Sequence, residues 1–166
     1  SKKFAMTGWR LGASIGPKEI IEQINRLNVN MESCTTHFVQ YAGLAGLNAP
    51  KKETQDILDV LKKRRDTLVN ILNDIEGVEA HVPEAGFYVF PKITHLLKNT
   101  GFDDVEDFRK IVLEETGVSF CGRHHFGRPL DNETDSYIRL AFSGINIEDL
   151  EEGMKLFKDW IASRVK

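Results

Sequence analysis

Three cationic side chains in this sequence suit nucleophilic and anion-binding chemistry. Lys2 lies in Ser1-Lys2-Lys3-Phe4-Ala5-Met6 and carries a primary amine. Protonated, that amine is a weak nucleophile; as the free base it is a good one. Arg10 stands in Gly8-Trp9-Arg10-Leu11-Gly12, and Arg139 in Tyr137-Ile138-Arg139-Leu140. A guanidinium grips a phosphate or a carboxylate through two parallel N–H donors. Each residue also has a plainer reading: a solvated lysine, an arginine on an edge strand, and a solvent-facing strand residue. Cys121, His124 and His125 invite a metal reading, but adjacent histidines rarely share one ion and no further ligand stands at a supportive spacing. No metal is expected.

The elements that must position these groups follow from periodicity. Apolar and small residues alternate over residues 8–16, which predicts a short glycine-rich strand, with Trp9 packed into a core or domain boundary. Pro17 suits a first helical position, and Ile20, Ile21, Ile24 and Leu27 mark an amphipathic helix over 18–27. Thr35 or Thr36 is expected to cap a helix of small residues running to Asn48. Residues 52–75 carry the strongest helical stripe, with Leu61, Leu68, Leu72 and Ile75. A helix of that length spans roughly 35 Å and is long enough to link two domains. Short strands are expected over 87–90, 118–121 and 137–142. A helix with Phe108, Ile111 and Val112 on one face is expected over 105–115, capped by Asp103 or Asp104. Asn146 caps a last helix carrying Leu150, Met154, Phe157 and Ile161. The fold class is α+β: a small sheet of about three strands covered by helices, preceded by a long linking helix.

Bulk properties bound the function classes. The chain has 166 residues, 41% hydrophobic and 28% charged, which is ordinary for a globular protein. A formal charge of −3 gives no basic excess for nucleic acid. No apolar run approaches the roughly twenty residues needed to span a bilayer, so no membrane partner is expected. Cys34 and Cys121 are the only cysteines, too few for a disulfide framework, and a reducing, cytoplasmic setting is expected. The chain opens without an initiator methionine on a compact motif, so it is expected to be cut from a larger protein.

The run from Ser1 to Gly12, SKKFAMTGWRLG, closely resembles the cofactor-lysine motif of the class I and II, fold-type I aminotransferases. Gln40, the segment Ala85-Gly86-Phe87-Tyr88-Val89-Phe90 and the segment around Arg139 resemble later parts of that family in order and spacing. The resemblance implies an α/β parent using pyridoxal 5'-phosphate. It implies that Lys2 is the cofactor lysine, Arg10 the phosphate arginine and Arg139 the arginine for the substrate α-carboxylate. On that reading residues 1–50 are the end of a large cofactor domain, 51–76 an interdomain helix and 77–166 a small domain. The expected reaction moves an amino group from an amino acid, aspartate being the default, to a 2-oxo acid in a homodimeric parent. A lyase or synthase of the same fold is the alternative. The chain alone is expected to be inactive, a folded domain without catalysis, because the family's remaining cofactor contacts precede the lysine. The loop 121–128 departs from the family's simpler glycine-rich loop, and Arg123, His124 or Arg128 is a candidate to read a substrate side chain.

Overall fold

A computed structural model describes residues 2–128 and 130–165. Helices α1 (Lys18–Met31), α2 (His37–Asn48) and α3 (Lys52–Asn73) are followed by β1 (Tyr88–Val89), α4 (Thr94–Thr100) and α5 (Val105–Thr116). Then come β2 (Cys121–Gly122), β3 (Ile138–Ala141) and α6 (Ile147–Arg164), with 3-10 turns at Lys2–Phe4, Thr7–Trp9 and Arg123–Phe126. The chain forms two compact units, the first ending at Leu58 and the second beginning at Asp59, so the boundary falls inside α3. No helix among the described residues is long and apolar enough to cross a membrane.

In the second unit, β3 lies between β1 and β2 and is antiparallel to both. Arg139 faces Cys121 across one ladder, and Leu140 faces Val89 across the other. Ile138 and Leu140 are buried, and α5 and α6 supply Phe108, Val112, Met154 and Phe157 to the same core. Phe108 sits at its centre, with its ring 5.4 Å from Phe102, 5.7 Å from Trp160 and 5.8 Å from Phe120. The expected faces of α5 and α6 are the ones that are buried.

Helix ends are fixed by side chains. The Asp104 carboxylate accepts from the Glu106 N–H at 2.5 Å and the Asn146 amide oxygen from the Asp149 N–H at 2.7 Å. Gly77 has φ +85°, and a Cβ there would lie 2.7 Å from the Leu96 nitrogen, so only glycine lets α4 approach this turn. Helix α4 escapes a periodicity search because it has seven residues and Ile93 at its cap makes no side-chain bond.

The first unit departs from expectation. The strand predicted over 8–16 does not form: Thr7–Trp9 is a 3-10 turn and residues 11–17 carry no regular structure. Alternation alone does not make a strand; its N–H and C=O groups need a neighbour, and among the described residues none pairs with it. Trp9 is 47% exposed and meets Phe38 edge-on at 6.2 Å instead of entering a core. Pro17 precedes α1, accepting from the Ile20 and Ile21 N–H groups at 3.1 Å, and the helix runs four residues past its expected end, to Met31.

Helix α5 also carries an ion pair. Arg109 donates to both carboxylate oxygens of Glu106, one turn earlier, and His124 Nε2 lies 3.3 Å from the same carboxylate. The Arg109 hydrogen bonds hold the Glu106 carboxyl down at about 2 against an ordinary 4.5. A depressed carboxyl adds stability that is present above about pH 4.5 and lost as the pH falls towards 2. Glu106→Gln should therefore lower the urea midpoint at pH 6 and lose that deficit by about pH 2; a deficit that does not change with pH contradicts the pairing. Phe108→Ala should cost roughly 3–5 kcal/mol in urea unfolding, and a loss under about 1 kcal/mol would show that Phe108 is not at the centre of the core.

Candidate active site

Lys2 opens the first 3-10 turn, and its carbonyl accepts from the Ala5 N–H at 3.3 Å. Its side chain is exposed and its ammonium has no partner among the described residues. Arg10 closes the second 3-10 turn in the left-handed conformation, φ 54° and ψ 43°. Few residues other than glycine adopt that conformation. Its guanidinium is exposed, with a single hydrogen bond to the Thr7 carbonyl at 3.3 Å and no carboxylate partner among the described residues. Arg10 lines a cavity of about 860 Å³ together with Phe4, Trp9, Asn28, Thr35 and Gln40, while Lys2 is not among the lining residues.

Helix α2 seats this segment. The Phe4 ring lies on Gly46, where a Cβ would be 3.3 Å from the ring, and a Cβ on Gly43 would collide with the Leu11 side chain. The small residues of α2 therefore let the chain carrying Lys2 and Arg10 lie directly on the helix backbone. Thr36 occupies the cap position without a side-chain bond; Gln40 instead fastens the helix start by donating to the Thr35 carbonyl at 2.7 Å.

Arg139 belongs to the second unit. Alternation along β3 turns it to the face opposite Ile138 and Leu140. There its Cζ lies 4.4 Å from the Tyr88 ring centroid and 4.4 Å from that of Phe126. One of its nitrogens donates weakly to Cys121 Sγ at 3.8 Å. Among the described residues no carboxylate pairs with this half-buried guanidinium. Two ring faces hold the cation in place of an anion, each contact worth roughly 0.5–2 kcal/mol.

The loop after β2 is built differently from its charge pattern. Arg123 is bound by Glu133, Nε to Oε1 at 2.7 Å and a second nitrogen to Oε2 at 2.9 Å, and also donates to the Gly127 carbonyl at 3.3 Å. Its guanidinium is tied into the loop by these contacts. Glu106, His124 and His125 each offer a ligand atom within 4.8 Å of the others, a grouping that excludes Cys121. Arg109 donates to both oxygens of Glu106 and His124 Nε2 lies 3.3 Å from one of them, so in this structure the carboxylate serves as an ion-pair partner. Reading along the sequence missed Tyr88 and Phe126 as neighbours of Arg139. Only the β1–β3 register and the turn after β2 bring them there.

Within the first unit, the exposed Lys2 amine and the Arg10 guanidinium, which has no carboxylate partner among the described residues, are donors of the kind pyridoxal phosphate needs. The sequence profile of "Aminotransferase class I and II" matches residues 1–157. An aspartate aminotransferase of Sulfurisphaera tokodaii is 34% identical over 161 residues, 97% of this chain and 39% of that protein. Two solved structures superpose closely. An aromatic aminotransferase from Pyrococcus horikoshii has a TM-score of 0.84 at 30% identity, covering 99% of this chain and 42% of that one. An alanine aminotransferase from Pyrococcus furiosus has a TM-score of 0.82 at 31% identity, covering 98% of this chain and 40% of that one. The chain thus spans about two-fifths of the length of the relatives it matches. It belongs to the class I and II aminotransferases, a family that works with pyridoxal phosphate.

Proposed function

We propose that the full-length protein moves an amino group from an amino acid to a 2-oxo acid, and that this chain supplies three of the working side chains. When bound, pyridoxal phosphate supplies the electron sink that makes the substrate Cα–H acidic. Lys2 is the residue that would hold the cofactor through its ε-amine, and once displaced it takes the Cα proton and returns it. Arg10 would bind the phosphate, because among the described residues its guanidinium makes one hydrogen bond, to the Thr7 carbonyl. Arg139 binds the substrate α-carboxylate.

The observation that carries this reading is the environment of Arg139. A half-buried guanidinium without an anion is costly unless something else stabilises it. Here two aromatic rings do so while leaving N–H donors unpaired. Such an arrangement suits a carboxylate that arrives and leaves.

The architecture is part of the proposal. Residues 1–50 are read as the end of a large cofactor domain, 51–76 as a linking helix and 77–166 as a small domain. Ile20, Leu27, Phe38, Leu44 and Leu47 are each more than half exposed, an apolar surface that a further layer of chain would cover. The 166-residue chain alone is therefore proposed not to turn over. The full-length protein is proposed to be a cytoplasmic homodimer. Aspartate is the proposed amino donor, supported by the names of several relatives, among them those of Sulfurisphaera tokodaii and Bacillus subtilis.

Adding aspartate without a 2-oxo acid to the full-length holoenzyme should convert the cofactor spectrum from its aldehyde to its amine form. Lys2→Ala should lower kcat by at least about 10²–10⁴-fold, and Arg139→Ala should lower kcat/KM by about 10–10²-fold. A persistent aldehyde-form spectrum with release of ammonia would instead identify a lyase.

A further inference from the structure

We infer that Phe126 is a positioning residue for Arg139, and that the loop after β2 is built to deliver it. This inference rests on the reading of Arg139 as the carboxylate-binding residue. Arg139 lies on the central strand, and its two aromatic neighbours come from opposite sides of it. Tyr88 belongs to β1, and its place is set by the strand register that pairs it with Ala141. Phe126 has no such ladder: it ends the 3-10 turn Arg123–Phe126 and is 43% exposed. An exposed phenylalanine on a short turn needs other contacts to hold its ring at 4.4 Å from a guanidinium.

Two sets of contacts do this. On one side the ring is braced by Phe90, edge-on at 6.0 Å, which itself stacks flat on Tyr137 at 5.2 Å with 6° between the planes. On the other, the bidentate Arg123–Glu133 pair ties the start of the turn to the far limb of the loop, and Arg123 also holds the Gly127 carbonyl beside Phe126. The Arg123–Glu133 pair of this loop thus serves to position a ring. The rings of Phe126 and Tyr88 lie over the guanidinium, and this arrangement directs incoming carboxylates to its N–H edge. A cation oriented this way binds ground state and transition state alike, so its loss appears in KM more than in kcat.

The test uses the full-length holoenzyme and steady-state kinetics with an amino acid and a 2-oxo acid. Phe126→Ala should raise KM for both by about tenfold, with kcat within about twofold. Phe126→Leu, which keeps apolar bulk but has no ring, should behave like Phe126→Ala. Phe126→Tyr should return KM to within about threefold of the parent value. Glu133→Gln should raise KM in the same direction by a smaller factor. Arg139→Lys is the control. If it raises KM while Phe126→Ala does not, the positioning role fails and the carboxylate reading stands. If Arg139→Lys leaves KM unchanged, both fail. A fall in kcat and melting temperature at constant KM in Phe126→Ala, or full function in Phe126→Leu, would make Phe126 a packing residue only.

Discussion

Ile138 and Leu140 are buried in the core of the second unit, and the residue between them must therefore point the other way. The carboxylate role proposed for Arg139 depends on that alternation. A slip of one residue in β3 would drive a guanidinium into the cluster around Phe108 and expose two aliphatic side chains. The core thus does more than stabilise: it fixes the face on which Arg139 appears. The antiparallel neighbours then decide what surrounds it, with Cys121 directly opposite and Tyr88 two residues along the other ladder, opposite Ala141. The cation is held by two rings and a weak bond to Cys121, and no carboxylate among the described residues pairs with it.

The first unit uses backbone proximity where the second uses alternation. Gly43 and Gly46 open the surface of α2 so that Leu11 and Phe4 can lie on it. That contact seats the short stretch carrying both Lys2 and Arg10. The left-handed backbone at Arg10 is a local cost, roughly 1 kcal/mol or more, and it sets where the side chain leaves the turn. Few apolar side chains of this unit are buried, whereas the second unit has a continuous core. The family motif is therefore held by a few close contacts.

Much of the second unit was legible in the sequence because its signals are local. The stripes of α5 and α6, the Asn146 cap and the apolar runs at β1 and β3 each follow from side-chain period or capping chemistry, whereas the strand expected over 118–121 forms only from Cys121, as Cys121–Gly122, and residues 118–120 carry no regular structure. The strand expected over 8–16 failed because alternation does not say whether a partner strand exists. Helix α4 was missed because seven residues give too little periodicity. Lys2, Arg10 and Arg139 stand out in the sequence because a motif links them to the chemistry proposed for them. Tyr88, Phe126 and Glu133 do not, since their roles arise from strand register and from a turn that brings residues 10 apart into an ion pair. Arg123 is the instructive case. In the sequence it looks like a free anion reader, and only the position of Glu133 shows that its charge is already used.

Whether Arg139 binds the substrate carboxylate is read most directly from a crystal structure of the full-length holoenzyme with a bound, unreactive carboxylate analogue of the substrate. The α-carboxylate should lie in bidentate contact with the Arg139 guanidinium, which keeps its place against Tyr88 and Phe126. A carboxylate bound elsewhere, with Arg139 still lacking an anion, would rule that role out.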